Sequence, residues 1–172
     1  PKIPLPPNLF DGARKNSTGL NFDYIDSLES LESGLSLYQG KKYNAFCLID
    51  GKNKKDGTKI TITNPATTEN IGQAIFASYE NVEDAAKTAE IGHQIWSETP
   101  ATQRAETLNK IANLLDKNRI ELIHLCNSEG GRTLKDCDDE VREAIDFCRY
   151  YAAMGQSDFE ETGRALTSPT GE

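Results

Sequence analysis

The side chains most able to do chemistry in this 172-residue chain lie toward its end. Asp138 to Met154, DDEVREAIDFCRYYAAM, reads as part of a long helix, and Glu140, Phe147 and Tyr151 fall along one flank of its apolar stripe. A carboxylate beside two aromatic rings, at the edge of a buried face, could line an active site. The plainer alternative is a structural glutamate bonded to a neighbouring backbone group or arginine. Other reactive residue types are sparse. Cys47, Cys126, Cys137 and Cys148 form no CxxC pair, so small buried thiols in a reducing compartment are expected. His93 and His124 do not make a zinc site, and no metal-binding residue is assigned. The chain has no GxGxxG, no Walker-type loop and no GxSxG. SEGGR, Ser128 to Arg132, reads as the end of a helix; a phosphate cradle would need a helix that begins there with exposed amides. No residue is assigned a catalytic or cofactor-binding role.

The elements that must carry these residues follow from periodicity and punctuation. Leu134, Cys137, Val141, Ala144, Ile145, Cys148 and Ala152 share one narrow sector of a helix over 134–154, and the three candidate residues lie about 80–120° to one side of it. Asp136, Asp138, Asp139, Glu143 and Asp146 mostly point away from the stripe and read as a solvated face. Three helices precede it. Asn118-x-x-Glu121 resembles a capping box opening the nearest, which carries Ile120, Ile123, Leu125 and Cys126 and ends at Gly130-Gly131. Thr99-Pro100 opens another, with Ala101, Ala105, Leu108, Ile111, Ala112 and Leu115 inward. Asn81 caps the first, with Val82, Ala85, Ala86, Ala89 and Trp96 on one side.

Before the helix run, three short strands are expected near 43–49, 58–63 and 70–77, bounded by DG, NP and TTEN turns. Residues 23–38 suit a helix with one apolar side. Residues 1–22 hold four of the seven prolines and read as an extended connector lying across another surface. The tail after Met154 is polar and reads as loop or the approach to a strand.

Composition narrows the function classes. At 37% hydrophobic and 27% charged, the chain is polar for a compact enzyme. A net charge of -8 argues against binding a nucleic-acid backbone, and the runs Lys41-Lys42 and Lys52 with Lys54-Lys55 are diluted by Asp50 and Asp56. No apolar run approaches the roughly 18 residues of a membrane span, and PKIPLPPNLF lacks the pattern of a secretory signal.

The order of LIDG, ITNPATTENIGQAIFAS and NVEDAAKTAEIGHQIWSETPATQRAETLNKIANLLDKNRIELIHL resembles the opening of an aldehyde dehydrogenase. Asn64 to Thr67, Trp96, Arg104 to Leu108 and Glu129-Gly130-Gly131-Arg132 stand at that family's motifs, with Arg132 where lysine is common. PKIPLPPNLFDGARKNSTGLNF and DEVREAIDFCRYYAAM with LTSPTGE are similar to stretches of its bifunctional proline-catabolic members. Those members join a proline dehydrogenase barrel to an aldehyde dehydrogenase half.

The resemblance implies an α/β fold, mostly helical as it stands: the N-terminal fragment of an aldehyde dehydrogenase fold, with connector, three short strands and a run of four helices. It implies residues 1–38 as the connector and 39–172 as an incomplete N-terminal portion of the NAD-binding domain. The implied activity of the parent is NAD-dependent oxidation of L-glutamate γ-semialdehyde, the open form of 1-pyrroline-5-carboxylate, to glutamate, with FAD serving the proline dehydrogenase unit. The family's nucleophilic cysteine and its partners match nothing here, so this segment alone is expected to be inactive and to hold no cofactor. Glu140, Phe147 and Tyr151 are implied substrate-channel residues. The implied partner is the remainder of its own polypeptide, in a cytoplasmic homo-oligomer that can sit peripherally at the inner membrane. A free-standing, non-catalytic α/β interaction module and the N-terminal segment of a different aldehyde dehydrogenase are the alternatives.

Overall fold

The computed structural model describes residues 3–5, 8–10, 12, 14–159, 163 and 165. Nearly all of the tail from residue 160 therefore lies outside the described residues. The elements in order are α1 (Ile25–Ser36), β1 (Tyr43–Ala45), β2 (Cys47–Ile49), β3 (Lys52–Lys54), β4 (Thr58–Thr63), β5 (Asn70–Phe76), α2 (Tyr79–Glu98), α3 (Ala101–Lys117), α4 (Arg119–Gly130) and α5 (Leu134–Asp158). They divide between two compact units that interleave along the sequence. One holds Asn21–Glu98 and Ile120–Cys137; the other holds Pro1–Leu20, Thr99–Arg119 and Asp138–Glu172.

The unit built around 21–98 contains every strand found among the described residues. Its larger sheet has the order β1-β5-β4, with β1 parallel and β4 antiparallel to β5. Gly72 permits the parallel contact: a Cβ there would lie 2.0 Å from the Tyr43 carbonyl oxygen. The single strand expected over 43–49 is two strands in different sheets, because the chain leaves β1 at Phe46 and pairs β2 with β3. That hairpin turns on Asp50-Gly51, both at positive φ, the geometry that matches the twist of a two-residue connection. The strand Lys52–Lys54 is invisible to an apolar pattern because its residues are Lys-Asn-Lys.

Helix starts correct the sequence reading in detail. α2 begins at Tyr79, and its cap is Ser78, whose Oγ accepts the Asn81 N–H at 3.2 Å. Asn81 is instead buried in the first turn, and its amide donates to Asp56 Oδ1 at 3.1 Å, which holds the Asp56 carboxyl below its usual range. The α2 face expected to turn inward is largely exposed at Val82, Ala86, Ala89 and Trp96. The capping box at Asn118 does not form. Glu121 pairs with Lys41 at 2.5 Å, while the Asn118 side chain donates to the Leu114 carbonyl and closes α3. The end of α4 does follow expectation: Gly131 sits at φ 64° and its N–H donates to the Asn127 carbonyl. The core of this unit is Leu31, Ile49, Ile75, Ile123 and Cys137.

The other unit is carried by α3 and by α5 from Asp138 onward. Pro100 is the residue before the first turn of α3 rather than inside it, one position from the expected register, and its carbonyl accepts the Arg104 N–H. Ala105, Ala112, Val141, Ile145 and Ala152 are buried, so the apolar stripe read for 134–154 is a core face.

Candidate functional site

α5 is a 25-residue helix, long enough to display distinct chemistry on distinct faces. Its buried stripe fixes the helix. A second line, Asp138, Arg142, Asp146 and Arg149, is spaced four, four and three residues apart and receives the extended segment 14–20. The Leu20 N–H donates to Asp138 Oδ2 at 3.0 Å, and the Ser17 N–H and hydroxyl donate to the two Asp146 oxygens at 2.6 and 3.1 Å. Arg149 donates to the Lys15 carbonyl at 3.3 Å. Arg119 donates to the Thr18 carbonyl and stands 3.6 Å from Asp138 Oδ1. Gly19 packs closely against the Arg142 guanidinium, where a Cβ would come within 2.7 Å of Nη1.

Asp138 is only 1% exposed, and Asp146 is half-buried against Ser17. Neither is the solvated acid expected from its angle off the apolar stripe. Sequence reasoning missed this clamp because the segment it holds has no periodicity of its own.

The candidate residues occupy a third line. Phe147 and Tyr151, one turn apart, bring their ring centroids to 6.1 Å, and both are more than half exposed. Glu140 is exposed on the same line, two turns toward the N-terminus, or about 10 Å along the axis. The structure therefore joins the two aromatics and sets the carboxylate apart from them. Tyr150, which the sequence reading passed over, stacks edge-on to Tyr151 at 5.2 Å and lies 5.2 Å from the Arg14 guanidinium carbon. An aromatic wall ending in a carboxylate can guide an aliphatic chain that carries a cation, but it contains no nucleophile or base aimed at a reacting atom.

The unit around 21–98 has a different cluster, bordering a cavity of about 580 Å³. Lys41 and Glu121 are held in their charged forms by their mutual hydrogen bond, Lys41 raised and Glu121 lowered from their ordinary pKa values. Lys41 also stands 4.9 Å from the Tyr43 ring centre, whose phenol is pushed up by burial. Burial lowers His124 and keeps its imidazole neutral, and its ring lies 6.1 Å from that of Tyr38. Lys41 is thus ion-paired, not the diluted surface charge expected. Among the described residues, no three metal-ligating side chains gather, and no helix is long and apolar enough to cross a membrane.

With the fold and these faces in place, residues 52–171 match the Aldehyde dehydrogenase family. The chain belongs to that family. It is similar to the bifunctional protein PutA of Salmonella typhimurium, 36% identical over 168 residues, which cover 96% of this chain and 13% of that protein. It is also similar to the 1-pyrroline-5-carboxylate dehydrogenase of Anoxybacillus flavithermus, 33% identical over 80% of this chain and 27% of that enzyme. The chain thus spans about an eighth to a quarter of the length of these curated relatives.

Among solved structures, proline utilization A from Bdellovibrio bacteriovorus, inactivated by N-propargylglycine, superposes with a TM-score of 0.81 at 28% identity, over 92% of this chain and 16% of that one. A Thermus 1-pyrroline-5-carboxylate dehydrogenase with bound NAD gives a TM-score of 0.80 at 22% identity, over 90% of this chain and 30% of that one, a likeness of fold. The short strands followed by α2 to α5 are therefore part of the aldehyde dehydrogenase fold, as the resemblance implied.

Proposed function

We propose that this aldehyde dehydrogenase chain is the N-terminal fragment of the dehydrogenase unit in a bifunctional proline-catabolic enzyme. In this reading residues 1–38 are the connector from a proline dehydrogenase unit and 39–172 begin the NAD-binding domain. The intact unit oxidises L-glutamate γ-semialdehyde to glutamate with NAD, and this segment alone does not. The observation that carries the reading is the reach of the similarity to PutA. It covers 96% of the chain, whereas the family match starts only at residue 52. The 1-pyrroline-5-carboxylate dehydrogenase relatives also reach ahead of residue 52, at 30–33% identity, and the higher 36% identity to PutA is what favours a bifunctional parent.

The described residues do not fit a dinucleotide. A pyrophosphate needs a helix N-terminus with approachable amides and no competing negative charge. The first turns of α1, α2, α4 and α5 carry Asp26, Glu80, Glu121 and Asp136, and α3 starts from Pro100 without a glycine. No step of the chemistry is therefore routed through these residues. Their role in this reading is to line the approach. Phe147 and Tyr151 supply an apolar wall for the substrate's methylene chain, and Glu140, about 10 Å along the helix, meets its ammonium group at a different point of the approach.

Replacing Glu140 with Ala in the full-length enzyme should raise KM for the semialdehyde with little change in kcat, the pattern of lost uniform binding. Unchanged kinetics would return Glu140 to a structural role. Incubation of the purified 172-residue chain with NAD and pyrroline-5-carboxylate should produce no NADH, and turnover would overthrow the fragment reading. The second reading, a free-standing interaction module, draws on the α5 stripe, whose Val141, Ile145 and Ala152 are buried by the chain itself.

A further inference from the structure

On the side of α5 turned away from the Glu140 line, three cations and three amides surround a cleft of about 270 Å³. Arg14 and Lys15 enter from the extended segment, Asn109 and Asn113 from consecutive turns of α3, and Arg149 and Gln156 from α5; Ala153 completes the wall. Among the described residues no carboxylate lines it. In a chain of net charge -8 such a collection is unexpected, since random placement of acids and bases would put carboxylates around most clefts. We propose that this cleft binds a phosphate group.

Two of the cations are held in place before any ligand arrives. Arg149 is only 15% exposed; one end of its guanidinium donates to the Lys15 carbonyl at 3.3 Å, and the other lies 3.5 Å from Asp116. Arg14 lies 3.8 Å over the Phe10 ring and 5.2 Å from that of Tyr150, and donates to the Asn16 side chain at 3.3 Å. Fixed guanidinium planes lose little entropy when they bind and match the oxygen spacing of phosphate. Lys15 is exposed and makes no ion pair among the described residues, so it supplies a mobile third cation.

Asp116 offsets part of one charge, which leaves about two positive charges facing the cleft at neutral pH, close to the charge of a phosphate monoester. The amides of Asn109, Asn113 and Gln156 can donate to the remaining phosphate oxygens. A single carboxylate would leave several of these donors unused. The ligand is either free phosphate or the phosphate of a nucleotide, and the two differ in whether a base adds affinity.

Isothermal titration of the 172-residue chain with inorganic phosphate, and separately with AMP, in about 0.1 M sodium chloride tests the assignment, because that salt screens loose surface attraction. Saturable binding of one equivalent is expected. Lys15→Gln should weaken it about tenfold, the loss of one charge-assisted contact. Asn113→Asp should abolish it at the same concentrations by placing a like charge in the wall. Both positions are exposed, and circular dichroism verifies that the variants remain folded. AMP binding more than tenfold tighter than phosphate identifies a nucleotide site, and equal affinity a site for free phosphate. Absence of saturable binding by either ligand, or binding unchanged in both variants, overturns the proposal.

Discussion

Cys137 shows how strongly its surroundings decide what one side chain can do. Its sulfur has no exposure to water, lies against the Cys126 thiol, and is pushed up to about 12, first by burial and then by that contact. The nucleophilic form of cysteine is the thiolate. At pH 8 the ionised fraction of such a group is on the order of one in ten thousand, against about a tenth for a thiol at its ordinary value near 9. Iodoacetamide at pH 8 should therefore modify Cys47, Cys126 and Cys148, all half-buried, well before Cys137, as peptide mass spectrometry would record.

The same shift makes stability depend on pH. Folding raises the pKa from about 9, so the retained proton favours the folded chain. The contribution is complete below about pH 9 and is lost as pH climbs toward about 12. The urea midpoint of the wild type should fall more steeply between about pH 8.5 and 10.5 than that of Cys137→Ala; parallel slopes would contradict the shift.

At the scale of elements, the clamp between segment 14–20 and α5 sets what the helix can present. Asp146 accepts two hydrogen bonds from Ser17, one of them to a backbone N–H that is otherwise buried. Asp146→Ala should cost about 1–3 kcal/mol, the penalty of an orphaned buried donor. Amide exchange at Ser17 should quicken while that at Ile145 in the buried stripe changes little. Equal acceleration at both sites would mean that the segment and the helix open together.

The apolar stripe of α5 was legible in the sequence because burial follows a 3.6-residue period, and the break at Gly131 because only glycine takes that turn cheaply. The clamp was not legible, since a helical wheel places Asp138 and Asp146 off the stripe without saying what lies there. Asn81 and Ser78 show the same limit on a smaller scale. Either can cap a helix, and the choice falls to Ser78 because Asp56, far away in sequence, engages the Asn81 amide. The Glu140, Phe147 and Tyr151 line was legible as an alignment of residue types; the 10 Å separating Glu140 from the rings follows directly from helical rise.

For the molecule as a whole, the least legible feature is its division. Segments 1–20, 99–119 and 138–172 group together, and the breaks fall within or beside helices with no proline- or glycine-rich linker to mark them. The most consequential feature is the face of α2 that carries Val82, 56% exposed, and Trp96, 47% exposed, with Ala86 and Ala89 exposed between them. Apolar side chains gathered on one exposed helix tend to draw chains together.

Trp96 is the only tryptophan, so its fluorescence reports on this face alone. At low concentration its emission should be red-shifted and readily quenched by iodide, and the quenching should diminish as concentration rises if the faces pair. Val82→Lys together with Ala89→Lys, both on the Trp96 side of the helix, should keep the quenching high at every concentration and lower the light scattering of concentrated samples. In a longer protein carrying a complete aldehyde dehydrogenase unit, the same tryptophan is expected to resist iodide, since packing this apolar face against the remainder of the unit would remove it from water. Quenching that is equally strong in the isolated chain and in the longer protein would show that the face is a solvated surface in both.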